Sequence, residues 1–334
     1  MIFSTKTISS CSFNMNNTTK NNNNDFSLFN ETLDMISEEQ KTFRVLFYNE
    51  GFKEFVKDSI EPNINFGKLI KNIIKGFMDI LDKIWNRFHA FLLDFTRKSS
   101  VIKRYKNKLE TIEKQVYYPE TRYIYTNLGT STSYTTFRNE MDKEFSNLIL
   151  NMSKLHDFNT YEKLVLEIER IKDEIDMTED YFDKVRGNII SSNTSVKKQE
   201  FVGELYKYFR NNSVQVTEGY ILPQEIKLAC DEYFSYDKKL KQLQRDRQDL
   251  KNAAKELEKN IMNVNLKDYV REDIPKEAQT IFTSILQNKV KRVNEMCNIY
   301  LQVFSIKLDA IKDSYQQYSK ILMFACKEIV KEGI

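Results

Sequence analysis

The sequence predicts an all-α protein: an elongated helical bundle with a long C-terminal antiparallel coiled-coil-like hairpin and a small non-helical insert near residues 117–137. Glycine (8) and proline (4) are scarce among the 334 residues, so few tight turns are encoded. Apolar residues recur at steps of three and four along several long segments, which is the spacing of amphipathic helices. Only the insert interrupts this periodicity with residue types that favour strands.

The chain begins with a polar tail, residues 1–33, which contains "NNTTKNNNN". A segment of this composition buries too little apolar surface to offset the entropy lost on ordering, so we expect disorder. Residues 34–60 are predicted to form a first helix, which Pro62 ends. Together with the segments that follow, it makes an N-terminal helical region over residues 34–116.

The segment "FGKLIKNIIKGFMDILDKIWNRFHAFLLDF", residues 66–95, is predicted to be one strongly amphipathic helix. A membrane-spanning helix needs about 20 mostly apolar residues, whereas the longest uncharged stretch here is only "FHAFLL". We therefore predict no transmembrane helix and expect the apolar stripe to pack against other helices. The stripe consists of Phe66, Leu69, Ile70, Ile73, Ile74, Phe77, Met78, Ile80, Leu81, Ile84, Trp85, Phe88, Phe91, Leu92 and Phe95.

Residues 117–139 form the predicted non-helical insert, which includes "YYPETRYIYTNLGTSTSYTTF". Pro119, Gly129 and the density of Tyr and Thr favour a short β-hairpin or an ordered loop. No other region of the chain is predicted to contain strands.

Residues 140–334 are predicted to return to a helical bundle. A helix over 140–186 is followed by a Gly-Asn pair, a common C-terminal stop, and a shorter helix near 197–210 leads into a loop. The stop and loop residues are Gly187, Asn188, Gly219 and Pro223.

Two long periodic patterns near the C-terminus predict the helical hairpin. Residues 226–264 carry six successive a/d pairs, and residues 282–329 continue with apolar residues at steps of three and four. The loop between them contains Asp273 and Pro275, which favour the restart of a helix. Two seams of similar length joined by a short loop predict an antiparallel pair of helices. The first pattern consists of Ile226, Ala229, Tyr233, Tyr236, Leu240, Leu243, Arg247, Leu250, Ala254, Leu257, Ile261 and Val264.

Two features of these seams have more than one interpretation. Arg247 occupies an a position, where it can pair with an acid across the hairpin or fix the register of the helices. The tyrosines between Tyr300 and Tyr318 can stack on nucleic-acid bases, but their heptad spacing favours packing against another helix.

The segment "RKSSVIKRYKNK", residues 97–108, holds six basic residues and no acidic one. It is either a solvated helix face or a surface that contacts phosphates or an acidic partner. The net charge of the whole chain is only +3, so this excess of positive charge is local. The candidate contact residues are Arg97, Lys98, Lys103, Arg104, Lys106 and Lys108.

The sequence contains no recognisable reaction centre. It has two histidines and no HExxH, CxxC, GxGxxG, GxxxxGKS/T or GxSxG motif, so neither a zinc site, a phosphate-binding loop nor a serine nucleophile is predicted. Its four cysteines are far apart in sequence, which favours a reducing compartment over a disulfide framework. The N-terminus lacks an apolar stretch of signal-peptide length. We therefore predict a non-enzymatic protein with no cofactor, no metal and no small-molecule substrate.

Several stretches resemble a known family of proteins. The segment "YLQVFSIKLDAIKDSYQQYSKIL", residues 300–322, is similar to the C-terminal helix of helical internal head or virion structural proteins of tailed bacteriophages. The order "GKLIKNIIKGFMDILDKIWNRF" and then "RKSSVIKRYKNKLE" resembles their N-terminal part. The segment "RYIYTNL", residues 122–128, lies where they carry an aromatic-rich break. In layout, the resemblance extends over residues 35–325.

The resemblance implies a protein that is made in the host cytoplasm and built into the virion, inside the capsid. Its expected partners are other virion proteins, further copies of itself and packaged DNA, which the basic stretch would contact. In related phages a prohead protease cuts after Glu in a Leu/Ile-x-Glu triplet, and Ile36-Ser37-Glu38 matches that triplet at the end of the polar tail. Ile36 and Glu38 therefore form the candidate processing site.

An alternative hypothesis follows from the residues alone. An apolar stripe beside a polybasic stretch is also typical of membrane-active amphipathic helices, which lie in a lipid surface. In that case Trp85 and the Phe residues of the stripe would face lipid instead of protein. A coiled-coil scaffold that exposes a seam to a partner is a third interpretation.

Overall fold

The chain folds into a helical bundle with a small β part, so the predicted all-α class is confirmed. The computed structural model describes residues 34–35, 38, 62–98, 100–118, 122–125, 137–139, 166, 169–170, 178–190, 195–210, 213–216, 219–262 and 276–331. The helices are α1 (Pro62–Lys98), α2 (Ser100–Arg104), α3 (Lys106–Glu110), α4 (Thr178–Ile189), α5 (Lys198–Arg210), α6 (Pro223–Phe234), α7 (Tyr236–Met262) and α8 (Lys276–Lys331). The strands are β1 (Val116–Tyr118), β2 (Arg122–Tyr125), β3 (Ser213–Val216) and β4 (Gly219–Ile221).

Helix α1 begins at Pro62, four residues before the predicted start. Proline suits the first helical position because the N–H that it lacks would have no partner there, and its φ is already helical. The predicted helix over 34–60 lies outside the described residues, except for Asp34, Met35 and Glu38, which are helical. Met35 packs against the core of the bundle.

The two arms of the predicted C-terminal hairpin run antiparallel. Asp246 of α7 pairs with Lys307 of α8 at 2.8 Å. Near the junction of α6 and α7, the Tyr315 hydroxyl donates a hydrogen bond to the Glu232 carbonyl at 3.3 Å. The residue that is later in the first arm, Asp246, contacts the residue that is earlier in α8, Lys307. The two arms therefore run in opposite directions. The 56 residues of α8 span about 84 Å, which makes the bundle elongated.

Helix α1 packs against both α7 and α8 and thereby turns the hairpin into a three-helix core. The Phe137 ring lies between α1 and α8, 5.5 Å from the Phe77 ring and 4.7 Å from the Tyr300 ring. Further along both helices, the Lys312 ammonium lies 5.6 Å from the centre of the Phe91 ring. Helix α1 therefore runs parallel to α8.

The apolar stripe of α1 is buried by protein, as predicted. Ile84 is 0% exposed and Phe88 is 1% exposed. Each large side chain removed from water stabilises the fold by about 1.5–3 kcal/mol, before the entropy of chain ordering is subtracted. The buried stripe residues are Ile70, Ile73, Ile74, Phe77, Ile80, Leu81, Ile84, Trp85, Phe88 and Leu92.

Helix α8 is the central rod of the bundle. Side chains between its seam positions, including Met296, Ile299 and Ile306, are buried as well, so several faces of the helix meet protein. A helix with apolar residues around its circumference is typical of a core position. The predicted seam residues that are buried are Val290, Val293, Cys297, Tyr300, Phe304, Leu308, Ile311, Tyr315, Tyr318, Leu322, Ala325 and Ile329.

The heptad pattern of residues 226–264 forms two helices instead of one. Helix α6 ends at Phe234, and the Ser235 N–H donates a hydrogen bond to the Asp231 carbonyl at 3.0 Å. Helix α7 begins at Tyr236, so only Ser235 separates the two helices and the apolar seam continues across the break. The buried seam residues are Ile226, Ala229, Tyr233, Leu243, Leu250, Ala254 and Leu257.

The β part corrects two predictions. Strand β1 pairs with β4 and β2 pairs with β3, both antiparallel, so the described strands of the 117–137 insert pair with distant strands and not with each other. The residues through Gly219, predicted to be a loop, supply both partner strands. Gly219 has φ 146°, a conformation that side chains with a Cβ rarely adopt. Pairing distant segments lets each one satisfy its backbone hydrogen bonds on the other.

Helix α4 corrects a third prediction, since it runs through Gly187 and Asn188 and ends at Ile189. Its buried Arg186 donates hydrogen bonds to Asp183 and to Glu295 of α8, each at 2.8 Å. The charge-assisted bond to Glu295 holds α4 against α8.

Candidate functional site

The basic segment, residues 97–108, ends α1 and continues through α2 and α3. Tyr105 separates the two short helices, with φ −97° and ψ 9°. Backbone hydrogen bonds bridge the break, from the Tyr105 N–H to the Val101 carbonyl at 3.2 Å and from the Leu109 N–H to the Tyr105 carbonyl at 2.9 Å. Ile102 and Leu109 are buried. They anchor the segment and its neighbouring turn on the bundle.

The structure brings four of the six candidate cations together on these two short helices. Lys103, Arg104, Lys106 and Lys108 are exposed, whereas the anchors between them are buried. Within the described part of the chain, neither Lys103 nor Arg104 takes part in an ion pair. The other two candidates, Arg97 and Lys98, lie in the last turn of α1, and their side chains fall outside the described residues.

Aromatic rings support the two lysines of α3. The Lys106 ammonium lies 4.8 Å from the centre of the Phe234 ring, and the Lys108 ammonium lies 6.0 Å from that of Tyr105. Lys106 also pairs with Glu110 at 3.6 Å, but the two side chains are 45% and 42% exposed. Such an exposed pair contributes less than about 1 kcal/mol. An anionic ligand can therefore replace the carboxylate.

The two-stranded ribbon of β1 and β4 carries a pair of exposed tyrosines that the sequence analysis did not predict. Tyr117 of β1 and Tyr220 of β4 are direct cross-strand partners, with ring centres 5.6 Å apart and an interplanar angle of 70°. They are 58% and 61% exposed, and Leu222 beside them is exposed too. The sequence Val116-Tyr117-Tyr118 has no apolar–polar alternation that marks Tyr117 as the exposed residue, although the structure buries both of its neighbours. The opposite tyrosine becomes recognisable only when the partner strand is known.

A charged cluster lies at the edge of the three-helix core. Asp82 of α1 accepts hydrogen bonds from Arg247 and from Lys251, the latter at 2.7 Å. Burial alone raises the pKa of Asp82, but the hydrogen bonds and positive charges of Lys251 and Arg247 outweigh it and hold that pKa below its usual value. The Arg247 guanidinium also lies 5.6 Å from the centre of the Trp85 ring. Arg247 thus finds its acid on α1 and not across the hairpin.

A second ion pair, between Asp246 and Lys307, is buried inside the bundle. Their side chains are 2.8 Å apart, and Gln242 donates a further hydrogen bond to Asp246 at 3.0 Å. The free-energy cost of removing two charges from water is offset only when the geometry of the pair is good. Such a pair is therefore expected to select one arrangement of the two helices more than it stabilises the fold. Its position fixes the register of α7 against α8.

The described cysteines, Cys230, Cys297 and Cys326, are buried free thiols. Desolvation raises the pKa of Cys230 to about 12 and that of Cys326 to about 11, and it raises the pKa of Cys297 as well. These thiols therefore stay protonated at neutral pH and are poor nucleophiles. Within the described residues, no group of His, Cys, Asp and Glu side chains is placed to hold a metal ion.

The remaining candidates have separate outcomes. Tyr300, Tyr315 and Tyr318 are buried, so the packing interpretation of the C-terminal tyrosines is confirmed. At the candidate processing site, Glu38 is helical and exposed, while Ile36 lies outside the described residues. Among the helices that the structure describes, none is both long and apolar enough to cross a membrane.

The comparisons with known proteins add no relative. No protein-family model, no curated protein and no solved structure matches the chain.

Proposed function

We propose that the protein is a non-enzymatic structural protein of a tailed-bacteriophage virion, of the internal head type, and that its basic segment contacts the phosphates of packaged DNA. The resemblance of the quoted sequence patches to such proteins supports the first part. The observation that carries the second part is the exposure of Lys103, Arg104, Lys106 and Lys108 on α2 and α3.

The form of the bundle suits a packing role. The apolar face of α1 is closed by α7 and α8, and the charges inside the bundle, such as Asp246 and Lys307, pair with one another. Around the basic segment, the described surface that is left for a partner is rich in exposed cations. A cationic patch on such a surface binds phosphates through counterion release and does not distinguish sequences. This is the behaviour expected of a protein that packs beside DNA.

The virion assignment is tested by mass spectrometry of purified particles. Peptides of this chain are expected in particles that have been freed of host protein and treated with protease on the outside. Their absence from such particles would remove the assignment.

The DNA contact is tested by measuring affinity for duplex DNA against salt concentration, with the full-length chain. For duplex DNA, the slope of log affinity against log salt changes by about 0.9 for each phosphate contact. The slope of the site variant is therefore expected to fall by about 3 to 4. The site variant carries Lys103→Gln, Arg104→Gln, Lys106→Gln and Lys108→Gln.

A matched control removes the same amount of charge from another helix. Four exposed lysines of α7 are replaced, and the salt slope is expected to stay near that of the unmodified chain. An equal loss of affinity in both variants would show that net charge, and not the basic segment, determines binding. The control variant carries Lys238→Gln, Lys241→Gln, Lys255→Gln and Lys259→Gln.

The membrane-active alternative requires the apolar stripe of α1 to face lipid. In this structure Ile74, Leu81 and Ile84 are buried against protein, so α1 would have to leave the core first. Flotation of the folded protein with anionic liposomes at physiological salt separates the two proposals. We expect the protein to remain in the dense fraction, and stable flotation would favour the alternative.

A further inference from the structure

We infer that the ligand surface continues from the basic segment onto the ribbon, where Tyr117 and Tyr220 stack on unpaired bases, and that the ligand is single-stranded nucleic acid. The inference rests on the proposed function, because it names the form of nucleic acid that the basic segment holds.

The segments that carry these residues are laid side by side on α8. Helices α2 and α3 and strand β1 follow one another in the chain, and each of them packs against α8. Their inward residues are Ile102, Leu109 and Tyr118, and the Tyr118 ring lies 4.8 Å from the Phe324 ring of α8. Since the inward residues of all three segments meet the same helix, the outward residues share the surface that faces away from it.

A second stretch of chain runs antiparallel beside them. Helix α6 packs on α3, with its last residue, Phe234, under the Lys106 ammonium, and strand β4 pairs with β1. Residues 106–118 and 219–234 therefore form one continuous strip. The strip has the cations of α3 at one end and the tyrosine pair at the other.

The positive charge that a polyanion would meet lies in the basic segment and not along the whole strip. The strip itself carries Lys106, Lys108, Lys114 and Lys227 together with Glu110, Glu113, Glu225, Asp231 and Glu232. The basic segment contains no acidic residue, and its described cations are exposed. At the other end, exposed Lys327 of α8 lies 5.1 Å from the centre of the Phe324 ring, the same ring that Tyr118 contacts. The phosphates of a ligand are therefore expected to be held at the end of the strip that carries the basic segment.

The tyrosine pair selects the form of the nucleic acid. An edge-to-face pair at 70° leaves ring surface open to solvent, which agrees with the exposure of both side chains. Aromatic rings stack on any unpaired base, because every base has a π-face. The bases of a duplex are already stacked on one another, so a duplex can use the cations but not the rings.

The test uses the full-length chain and fluorescence anisotropy with two labelled probes, an oligothymidine of about 20 nucleotides and a duplex of the same length. Tyr117→Thr with Tyr220→Thr removes both rings and keeps residues that favour strands. Tyr117→Phe with Tyr220→Phe is the matched control, because it keeps the rings. The Thr variant is expected to bind oligothymidine about tenfold more weakly or worse and to bind the duplex unchanged, whereas the Phe variant binds both probes like the parent chain.

A second measurement does not depend on the folding of a variant. Oligothymidine that carries 4-thiothymidine is crosslinked by light to the unmodified chain, and the modified peptides are identified by mass spectrometry. Crosslinks are expected on the peptides that contain Tyr117 or Tyr220. Crosslinks confined to other parts of the chain would overturn the inference.

The remaining outcomes distinguish this inference from the proposed function. If the Thr variant binds oligothymidine as well as the parent chain, while the four-cation variant loses duplex affinity, the inference fails and the proposed DNA contact stands. If neither set of variants changes binding, both fail. If polyglutamate binds the unmodified chain more tightly than oligothymidine does, the partner is an acidic protein, and the inference fails.

Discussion

Helix α1 and the two short helices that follow it are neighbours in sequence but take opposite roles. All three present apolar residues to the bundle and charged residues to solvent. Among the side chains that the structure describes, ten buried apolar ones lie on α1, whereas α2 and α3 together bury only Ile102 and Leu109. The difference teaches that a segment with many apolar anchors builds the core, and a segment with few is held just firmly enough to display its charges.

The largest effect is expected from removing an anchor of α1. Phe88→Ala opens a cavity in the core and should lower the free energy of unfolding by about 3–5 kcal/mol, measured by denaturant titration. Val101→Ala on α2, where the side chain is 37% exposed, is the matched control and should change it by less than about 0.5 kcal/mol. Similar losses in both variants would contradict the division of roles.

The buried ion pair of α7 and α8 tests the comparison between core-building and charge-displaying segments, because it puts charges inside the core. Asp246→Ala leaves Lys307 buried without its carboxylate and should cost about 3–5 kcal/mol of unfolding free energy. Replacing both residues, Asp246→Leu with Lys307→Met, should return the stability to within about 1 kcal/mol of the parent chain. A double variant as unstable as the single one would show that the pair is a net stabiliser.

Two glycines give effects of opposite sign under the same substitution. Gly219 has φ 146° at the start of β4, and no atom lies within 4 Å of an added Cβ, so Gly219→Ala is opposed by the backbone alone. It should destabilise by about 1–3 kcal/mol. Gly203 lies in helix α5 with equally open space, and Gly203→Ala should stabilise by about 0.5–1 kcal/mol. Thermal unfolding measures both, and shifts in the same direction would contradict the account of the ribbon.

The smallest effect on stability is expected in the charged cluster of Asp82, Arg247 and Lys251, and it depends on pH. The pKa of Asp82 is lower in the folded chain than in the unfolded one, so its contribution is present above the unfolded pKa and is lost as pH falls through the folded pKa. The side chain is 35% exposed, so Asp82→Asn should cost less than about 1 kcal/mol at neutral pH.

Denaturant titrations at neutral and strongly acidic pH check this expectation. The difference between the parent chain and Asp82→Asn should shrink as pH falls. The control is Asp79→Asn, an exposed residue of the same helix, which should change the free energy by less than about 0.5 kcal/mol at either pH. A difference at Asp82 that grows toward low pH would contradict the ion-pair assignment.

The helices and their buried faces were largely predictable from the sequence. The stripe of α1 and the seam of α8 follow from spacing alone, because a helix brings residues three and four positions apart onto one face. The break at Ser235 and the extension of α4 past Gly187 were missed. Both depend on one or two backbone hydrogen bonds at a helix end, which leave the apolar periodicity unchanged.

The candidate site was predictable only in part. The run of cations was evident, and the structure adds that the described ones are exposed beside buried anchors. The tyrosine pair was not predictable, since Tyr117 and Tyr220 are about a hundred residues apart and meet only through the pairing of β1 with β4. The acid that Arg247 reaches was missed for the same reason, because Asp82 lies on a helix from the other half of the chain.

By itself, the sequence determined that this protein is helical, where its long helices run and which of their faces are apolar, because hydrogen bonds and side-chain neighbours within a helix are local. Only the tertiary structure decided that α1 joins the hairpin, that the ribbon pairs distant segments, and that cations and tyrosines share one strip. Such choices depend on which surfaces fit together across long loops. Many apolar stripes can close against one another, and the packing of the whole chain selects among them.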